Sequence, residues 1–272
     1  MTPVSGVNQG RWRWRRWSTM INELNSTKVA IISGASAGIG RATALALAAK
    51  GLRLALLGRS ASRLDEVAQA AREGGATEAL ICSGDIREES VIREAVAGTI
   101  DRFGRVDILI NNAGLSLNGE VDGYALADWQ TVLETNLTAP FLLCREVLPA
   151  MKRQRGGQII NISSGAGRNG IKNMSAYCAS KFGLIGFTES LGHEVRPWDI
   201  RVSALLPGSV ATDFFRVANR LPEGDETRNG RSAGYAMLPA EVAEVIVSML
   251  AQPPQAWMSE VLLRPLNLEL SR

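Results

Sequence analysis

Short apolar runs alternate with longer amphipathic segments along most of the chain. The runs have the length of buried strands, and the segments have the period of helices. Regular alternation of the two predicts an α/β fold, a doubly wound sheet of about seven parallel strands with helices on both faces. The predicted strands cover residues 28–33, 52–58, 78–83, 107–111, 157–163, 200–206 and 259–264. The predicted helices cover residues 39–50, 61–73, 87–103, 125–151, 175–195 and 239–251.

A glycine-rich turn joins the first predicted strand to the first predicted helix. It contains Gly34, Gly38 and Gly40, with the spacing Gly-x-x-x-Gly-x-Gly. Gly34 permits a tight turn, Gly38 lets a pyrophosphate approach the backbone, and Gly40 lets the helix pack closely on the strand. Free N–H groups at the start of the helix suit phosphates. The turn therefore predicts a dinucleotide site, and an ordinary loop is the alternative.

Two further strands end in small and polar residues. The run at 107–111 continues into Asn112-Ala113-Gly114, and the run at 157–163 ends at Ser163-Ser164. In open α/β folds, ligands bind at the carboxyl ends of parallel strands. We therefore expect these residues to lie near the glycine turn.

Tyr177 and Lys181 stand four residues apart in the predicted helix 175–195, so they share one face. A free tyrosine titrates near pH ~10, and a neighbouring cation lowers its pKa by favouring the phenolate. Such a phenol is suited to exchange a proton with a carbonyl or alcohol oxygen. The same spacing also occurs on solvated helix faces, so the pair alone leaves both interpretations open.

Taken together, these motifs resemble the short-chain dehydrogenase/reductase family, in its compact single-domain type. The glycine turn, Asn111 to Gly114, Ser164, Tyr177 and Lys181 match in order and spacing, and the likeness runs from Lys28 to about Pro265. Ser33 stands where the family usually has threonine. The resemblance implies a Rossmann-like fold and an oxidoreductase acting on CH–OH with NAD(P).

Catalytic roles follow from the resemblance. Ser164 would hydrogen-bond to the substrate oxygen, Tyr177 would act as the acid/base, and Lys181 would stabilise the phenolate and hold the nicotinamide ribose. Asn136 would organise a water that leads protons to the lysine. For Asn136 a structural role remains open, since its side chain can also bond to main-chain groups.

The resemblance also implies the cofactor contacts. Asp85 would contact the adenine, Asn112 and Gly114 the ribose, and the segment after the sixth strand would cover the nicotinamide. The full set of cofactor-binding residues is Gly34, Ser36, Gly38, Ile39, Gly40, Arg59, Asp85, Ile86, Asn112, Ala113, Gly114, Tyr177, Lys181, Pro207, Gly208, Val210 and Thr212.

The end of the second strand bears on the choice of cofactor. Members that prefer NAD carry an acid where this chain has Gly58, and Arg59 follows. A guanidinium suits a phosphate ester, which favours NADP(H) over NAD(H). Ala37 weakens this prediction, because many NADP-preferring relatives have a basic residue there. A surface arginine without a ligand is the alternative.

Composition fits a soluble globular protein of 272 residues, with 46% hydrophobic and 21% charged residues. Cys82, Cys144 and Cys178 lack metal-ligand spacing, which suits a reducing cytoplasm. His193 is the only histidine in the sequence, so a histidine metal cluster is not available and no metal is expected. No apolar run reaches the length of a membrane span.

Residues 1–27 do not fit the domain, which we place at 28–272. The segment Arg11 to Trp17 is basic and aromatic, and residues 1–19 hold four arginines and no acidic residue. Without them the net charge of +3 becomes −1, so the pI of 8.9 comes from the tail. We interpret 1–27 as a disordered extension, or as sequence before a natural start at Met20. A membrane-surface or nucleic-acid contact is the alternative, and neither partner is predicted.

Residues 209–238 have no continuous periodicity and are predicted to be a substrate lid. With Leu115, Ser116, Ala166 and Asn169, the lid would line a pocket for a small carbonyl or alcohol. The chain ends without the glycine-rich segment of carrier-protein reductases, so 3-oxoacyl-carrier-protein reductase is the second hypothesis. An NADP(H)-binding redox sensor is the non-enzymatic alternative.

The helices predicted at 125–151 and 175–195 carry apolar residues on more than one face. One face must cover the sheet, and the surplus would be exposed on a monomer. Related enzymes pair these helices across a two-fold axis. We therefore expect a homo-oligomer, most simply a tetramer.

Overall fold

The computed structural model describes residues 24–220, 236–253 and 255–266. Seven parallel strands form one sheet in the order β3-β2-β1-β4-β5-β6-β7, which confirms the predicted fold class. The strands are β1 (Val29–Ser33), β2 (Arg53–Gly58), β3 (Glu78–Ser83), β4 (Ile108–Asn111), β5 (Gly157–Ile162), β6 (Ile200–Pro207) and β7 (Glu260–Leu263). Each lies within a residue or two of its predicted bounds.

Helices connect the strands on both faces of the sheet. They are α1 (Gly38–Ala48), α2 (Ala61–Glu73), α3 (Glu89–Phe103), α4 (Leu126–Leu133), α5 (Ala139–Gln154), α6 (Ser175–Val195), α7 (Phe214–Ala218) and α8 (Pro239–Leu250). The single helix predicted at 125–151 is instead α4 and α5, joined by a π-helical turn at Glu134–Thr138. Such a turn inserts one extra residue into the helix, and apolar periodicity does not reveal it.

The strands alternate their side chains between two cores. Ile32 of β1 and Leu54 of β2 face the core under α1, α2 and α8. Ile31 and Ala55 face the core under α3, α5 and α6. Because β1 and β2 are buried on both faces, they read as continuous apolar runs.

The strand order reverses between β1 and β4. From β1 the chain winds outward through β2 and β3, then returns to place β4 on the other side of β1. Ile32 of β1 pairs with Ile110 of β4, so the two carboxyl ends lie side by side. This is the switch point at which open α/β sheets bind ligands.

Asp107 fixes this register at the opposite end of the strands. Its buried carboxylate accepts hydrogen bonds from the Val29 N–H at 3.0 Å and the Lys28 Nζ at 3.1 Å. Arg105 donates two more, at 2.7 and 2.8 Å. One carboxylate therefore holds the starts of β1 and β4 together.

The proposed extension and lid lie partly outside the described residues. Residues 1–23, with the Arg/Trp segment and Met20, are among those not described, as are residues 221–235 of the lid. Leu24 already packs against the core, a few residues before the domain start that the sequence suggested. Within the lid, residues 214–218 form the short helix α7, which sequence periodicity did not indicate. No helix in the described part of the chain is long and apolar enough to cross a membrane.

Candidate active site

The glycine turn leaves a cradle without side chains at the end of β1. Gly34 and Gly38 have φ of 65° and 53°, a backbone region that residues other than glycine rarely adopt. A Cβ on Gly34 would lie 2.8 Å from Ala113 Cα, and one on Gly40 would lie 2.2 Å from the Gly34 carbonyl oxygen. The backbone is thus open to a phosphate group at the start of α1.

Ser33 and Asn112 fasten this turn to the end of β4. The Ser33 hydroxyl accepts from the backbone N–H of Asn112 at 3.0 Å and of Ala113 at 3.1 Å. The Asn112 side-chain amide donates to the carbonyls of Ser33 and Gly34 at 3.0 and 3.2 Å. Serine therefore suffices where the family usually has threonine, because only the hydroxyl is used. The amide of Asn112 serves the protein backbone.

A cavity of about 200 Å³ continues from this turn along the ends of β2 and β3. The residues that line it include seven members of the predicted cofactor-binding set. Those members are Gly34, Ser36, Arg59, Asp85, Ile86, Ala113 and Gly114. Of the others in the set, Ile39 turns its side chain toward the core, so only its backbone remains for a ligand.

Arg87 is a further cation in this cavity, and the sequence argument missed it. Its guanidinium donates to both carboxylate oxygens of Asp85 at 2.7 to 3.1 Å. This pairing lowers the pKa of the Asp85 carboxyl, with a smaller contribution from Arg59. An adenine contact to Asp85 would therefore share the carboxylate with Arg87. The sequence did offer one sign of this pairing, since Arg87 follows Asp85 by only two residues.

Asn136 lies in the π-helical turn and is fully buried. Its side chain accepts from the Leu115 N–H at 2.8 Å and donates to the Leu115 carbonyl at 2.8 Å and the Ser180 hydroxyl at 3.0 Å. Ser180 in turn donates to the Tyr177 carbonyl at 2.7 Å. Asn136 thus holds the loop after β4 against α6, a main-chain role of the kind the sequence left open.

Lys181 reaches the same place from α6. Its side chain is 3% exposed, and Nζ donates to the Ile162 carbonyl at 2.8 Å. Burial lowers the pKa of Lys181 to about 8. A Cβ on Gly114 would lie 3.4 Å from this Nζ and 3.2 Å from the Asn136 Oδ1. The bare backbone at Gly114 therefore leaves room for the ammonium group.

Tyr177 is 7% exposed, and the Ser164 side chain lies near its phenol. Ser164 accepts from the Ala166 N–H at 3.1 Å, which orients it at the end of β5. The ring of Phe214 packs against the tyrosine ring, with centroids 5.3 Å apart. The two side chains thus lie near each other beneath α7.

The expected lowering of the tyrosine pKa is wrong for this state of the protein. Burial raises the pKa of Tyr177 to about 12, against a smaller downward effect of the Ser164 hydrogen bond. The Lys181 Nζ bonds to a carbonyl and lies 5.7 Å from the centre of the phenol ring. Desolvation by burial therefore dominates the pKa of Tyr177.

The segment after β6 returns to the glycine turn. Gly208 N–H donates to the Leu263 carbonyl at 2.7 Å, and Val210 forms a bridge with Met237. The methyl group of Thr212 would lie 3.1 Å from a Cβ on Gly38. Pro207, the last residue of β6, starts this segment, which therefore approaches the cradle. Within the described ranges, no three His, Cys, Asp or Glu side chains are placed to hold a metal ion.

A family model and a related protein sequence both match this chain over most of its length. Residues 28–221 match the model of the short chain dehydrogenase family. The chain is 38% identical over 199 residues to a 3-oxoacyl-[acyl-carrier-protein] reductase of Synechocystis, covering 72% of this chain and 80% of that protein.

Two solved structures extend the likeness to nearly the whole fold. One is a metagenomic short-chain oxidoreductase in complex with NADP, with a TM-score of 0.76 and 35% identity over 89% of this chain and 98% of that one. The other is an NAD+-bound xylitol dehydrogenase, with a TM-score of 0.80 and 28% identity over 89% and 99%.

A pair of glycine substitutions tests the cradle. Gly40→Ala should lower the free energy of unfolding by about 1–3 kcal/mol, because its methyl group meets the Gly34 carbonyl oxygen. Gly98→Ala in α3 should raise it by about 0.4–1 kcal/mol, since no atom lies within 4 Å of its added Cβ. Urea unfolding of both variants measures the difference, and equal effects would contradict the packing described for the turn.

Proposed function

The chain belongs to the short-chain dehydrogenase family, and on that premise we propose that it transfers hydride between NADP(H) and a small carbonyl or alcohol substrate. Family membership makes it an oxidoreductase that acts on a CH–OH group. The observation that carries the proposal is that buried Tyr177 and Lys181 pack at the end of β5, beside Ser164 and on the same sheet edge as the glycine cradle.

Tyr177 is the acid/base in this proposal. In the reducing direction the Ser164 hydroxyl donates to the substrate carbonyl oxygen, and the Tyr177 phenol gives that oxygen its proton. The nicotinamide, when bound, supplies the hydride. The nearness of the Ser164 side chain to the phenol supports this pairing.

Lys181 would stabilise the phenolate and hold the nicotinamide ribose. An ammonium group has three donors, and the bond to the Ile162 carbonyl uses one of them. Two donors remain for ribose hydroxyls. We assign Asn136 to positioning the loop that carries Gly114, because its side chain bonds to the backbone of Leu115. Asn136 would affect a relay of protons to Lys181 only by holding this loop in place.

The cofactor would lie along the sheet edge. The backbone of Gly34, Gly38 and Gly40 suits the pyrophosphate, and the residues beside Asp85 suit the adenosine. The segment from Pro207 to Thr212 would cover the nicotinamide.

We also place the enzyme in the cytoplasm, where the free thiols of its three cysteines would remain reduced.

Charge at the end of β2 supports NADP(H) as the preferred cofactor. Arg59 and Arg87 both line the adenosine cavity, while Asp85, the acid between them, is neutralised by Arg87. The two guanidinium groups outnumber this one carboxylate, so a 2′-phosphate would meet a net positive charge. NADP in one related structure and NAD+ in another leave this preference to experiment.

Tyr177→Phe tests the acid/base. Turnover of a ketone with NADPH should fall by about two to four orders of magnitude, because only the transferable proton is removed. The dissociation constant of NADPH, measured by fluorescence titration, should stay within about three-fold. Tyr124→Phe, which loses a hydroxyl that bonds to the Leu117 carbonyl, is the matched control and should remain active. Full activity of Tyr177→Phe would refute the assignment.

Two variants test the cofactor preference. Arg59→Ala should raise the KM for NADPH by about one to two decades and leave NADH use unchanged, consistent with one lost charged contact of ~1.5–3 kcal/mol. Gly58→Asp should favour NADH, and its side chain fits because an added Cβ meets no atom closer than 3.5 Å. Arg93→Ala on α3 is the control. A wild-type enzyme that prefers NADH would overturn the preference.

Reduction of 3-oxoacyl groups on a carrier protein is the second candidate, and the similarity to the Synechocystis reductase favours it. Turnover of a 3-oxoacyl thioester far above that of simple ketones would establish it.

A redox sensor that binds NADP(H) without turnover is the non-enzymatic alternative. The same assays exclude the sensor if any carbonyl is reduced in a Tyr177-dependent way.

We further propose a homo-oligomer, most simply a tetramer. Most apolar residues of α5 and α6 are buried in the monomer, but Phe141 and Phe182 are 45% and 46% exposed. The exposed Phe141 packs edge-on against Phe187 of α6 and beneath Arg145. A second copy of the α5–α6 face would cover these rings.

Light scattering tests the assembly. The wild type should show the mass of an oligomer, and Phe141→Asp should shift it toward the monomer, because a carboxylate would be buried in the contact. Val121→Asp, at an exposed apolar residue outside α5 and α6, is the control and should leave the mass unchanged. A fully active wild-type monomer at micromolar concentration would rule out the proposal.

A further inference from the structure

The surroundings of the Tyr177 ring are apolar on the side that α7 covers. Ala166, Met174, Cys178 and Phe214 pack around the ring as one small cluster, separate from the two main cores. We infer that the substrate is an apolar cyclic or aromatic ketone, or the matching alcohol, and that it packs against Phe214. This inference rests on the proposed function and names the class of its substrate.

The thiol in this cluster offers a substrate little polarity. Cys178 Sγ accepts from the Ile171 N–H at 3.4 Å and lies 3.8 Å from the Asn169 carbonyl oxygen, to which it donates. Both partners belong to the loop between β5 and α6. The sulfur is therefore engaged within that loop and acts as a packing atom beside Tyr177.

The Ser116 hydroxyl, predicted to line the pocket, bonds within the protein to an asparagine that the sequence did not place there. The Ser116 hydroxyl, almost fully buried, donates to Asn118 Oδ1 at 2.8 Å. Asn118 Nδ2 donates to Asn219 Oδ1 at 3.1 Å, and Asn219 Nδ2 donates to the Phe215 carbonyl at 2.8 Å. These hydrogen bonds occupy the side-chain groups to which a hydroxylated substrate would need to bond. Asn169 lies at the exposed rim.

Backbone hydrogen bonds from the same loop hold Phe214 over Tyr177. Asn118 N–H donates to the Ala218 carbonyl at 3.0 Å, which fixes the end of α7 to the loop after β4. Gly119 N–H donates to the Asn173 carbonyl at 2.9 Å and ties that loop to the one before α6. Three segments thus frame the cluster, and Phe214 is positioned by hydrogen bonds at the far end of its helix.

Two further apolar side chains of the same segments are partly exposed. Val217 of α7 and Ile171 of the loop before α6 are 46% and 48% exposed. A polyhydroxylated substrate would leave hydroxyls against carbon and sulfur atoms. A buried hydroxyl without a partner weakens binding by roughly ten-fold to a hundred-fold, whereas an apolar ring gains from the same contact.

The test compares two ketones of similar size with the wild-type enzyme and NADPH: cyclohexanone, an apolar ring, and erythrulose, an open-chain polyhydroxy ketone. We expect kcat/KM for cyclohexanone to exceed that for erythrulose by at least about ten-fold. Phe214→Asn should reduce this ratio by about ten-fold, mainly through the KM for cyclohexanone. Phe214→Leu should retain the ratio within about three-fold.

Phe215→Leu is the matched control on the same helix, since Phe215 lies outside the cluster around Tyr177. If Phe214→Asn fails to fold, the wild-type ratio and the leucine variant still decide the question. Equal or better use of erythrulose by the wild type overturns the inference and leaves the proposed function standing. If neither ketone is reduced, the proposed function fails for simple ketones and the inference fails with it.

Discussion

The close approach of the glycine turn to the end of β4 is the constraint on which the rest of the site depends. Gly34 lies so near Ala113 that a single methyl group would overlap the neighbouring backbone. The Ser33 hydroxyl and the Asn112 amide hold this contact with hydrogen bonds that cross the switch point. Because β1 and β4 are parallel neighbours, the turn and the Gly114 loop share one edge of the sheet. Asn136 then continues the contact from Leu115 to α6, which carries Tyr177 and Lys181.

Burial sets the electrostatics of Tyr177 and Lys181. Both side chains lie almost entirely out of water, and in each case the neutral form is favoured: the pKa of Lys181 falls and that of Tyr177 rises. The Phe214 ring packs against the tyrosine ring and is part of what buries it. A ligand that engages the phenol or the ammonium group would change this balance, since charge in a dry site responds strongly to nearby partners.

The sequence predicted the strands closely because β1 and β2 are buried on both faces and read as unbroken apolar runs. It predicted the neighbourhood of the site through strand ends, since parallel strands bring their carboxyl ends to one edge. It missed the π-helical turn at Asn136, because an inserted residue leaves apolar periodicity almost unchanged. It also missed α7, whose five residues are too few to show a helical period. Arg87 escaped notice because its pairing with Asp85, in the cavity at the ends of β2 and β3, is visible only in the packed structure.

The sequence by itself determined the fold class, the glycine cradle and the identity of the polar residues at the strand ends. These depend on local properties: apolar length, the conformational freedom of glycine, and the spacing of Tyr177 and Lys181 along one helix. Only the tertiary structure decided how those residues are used. It engaged the Asn112 and Asn136 amides with backbone, placed Lys181 on the Ile162 carbonyl, and covered Tyr177 with Phe214. These outcomes depend on contacts between residues far apart in the chain. Burial and hydrogen-bond competition are properties of the packed molecule, and no local segment encodes them alone.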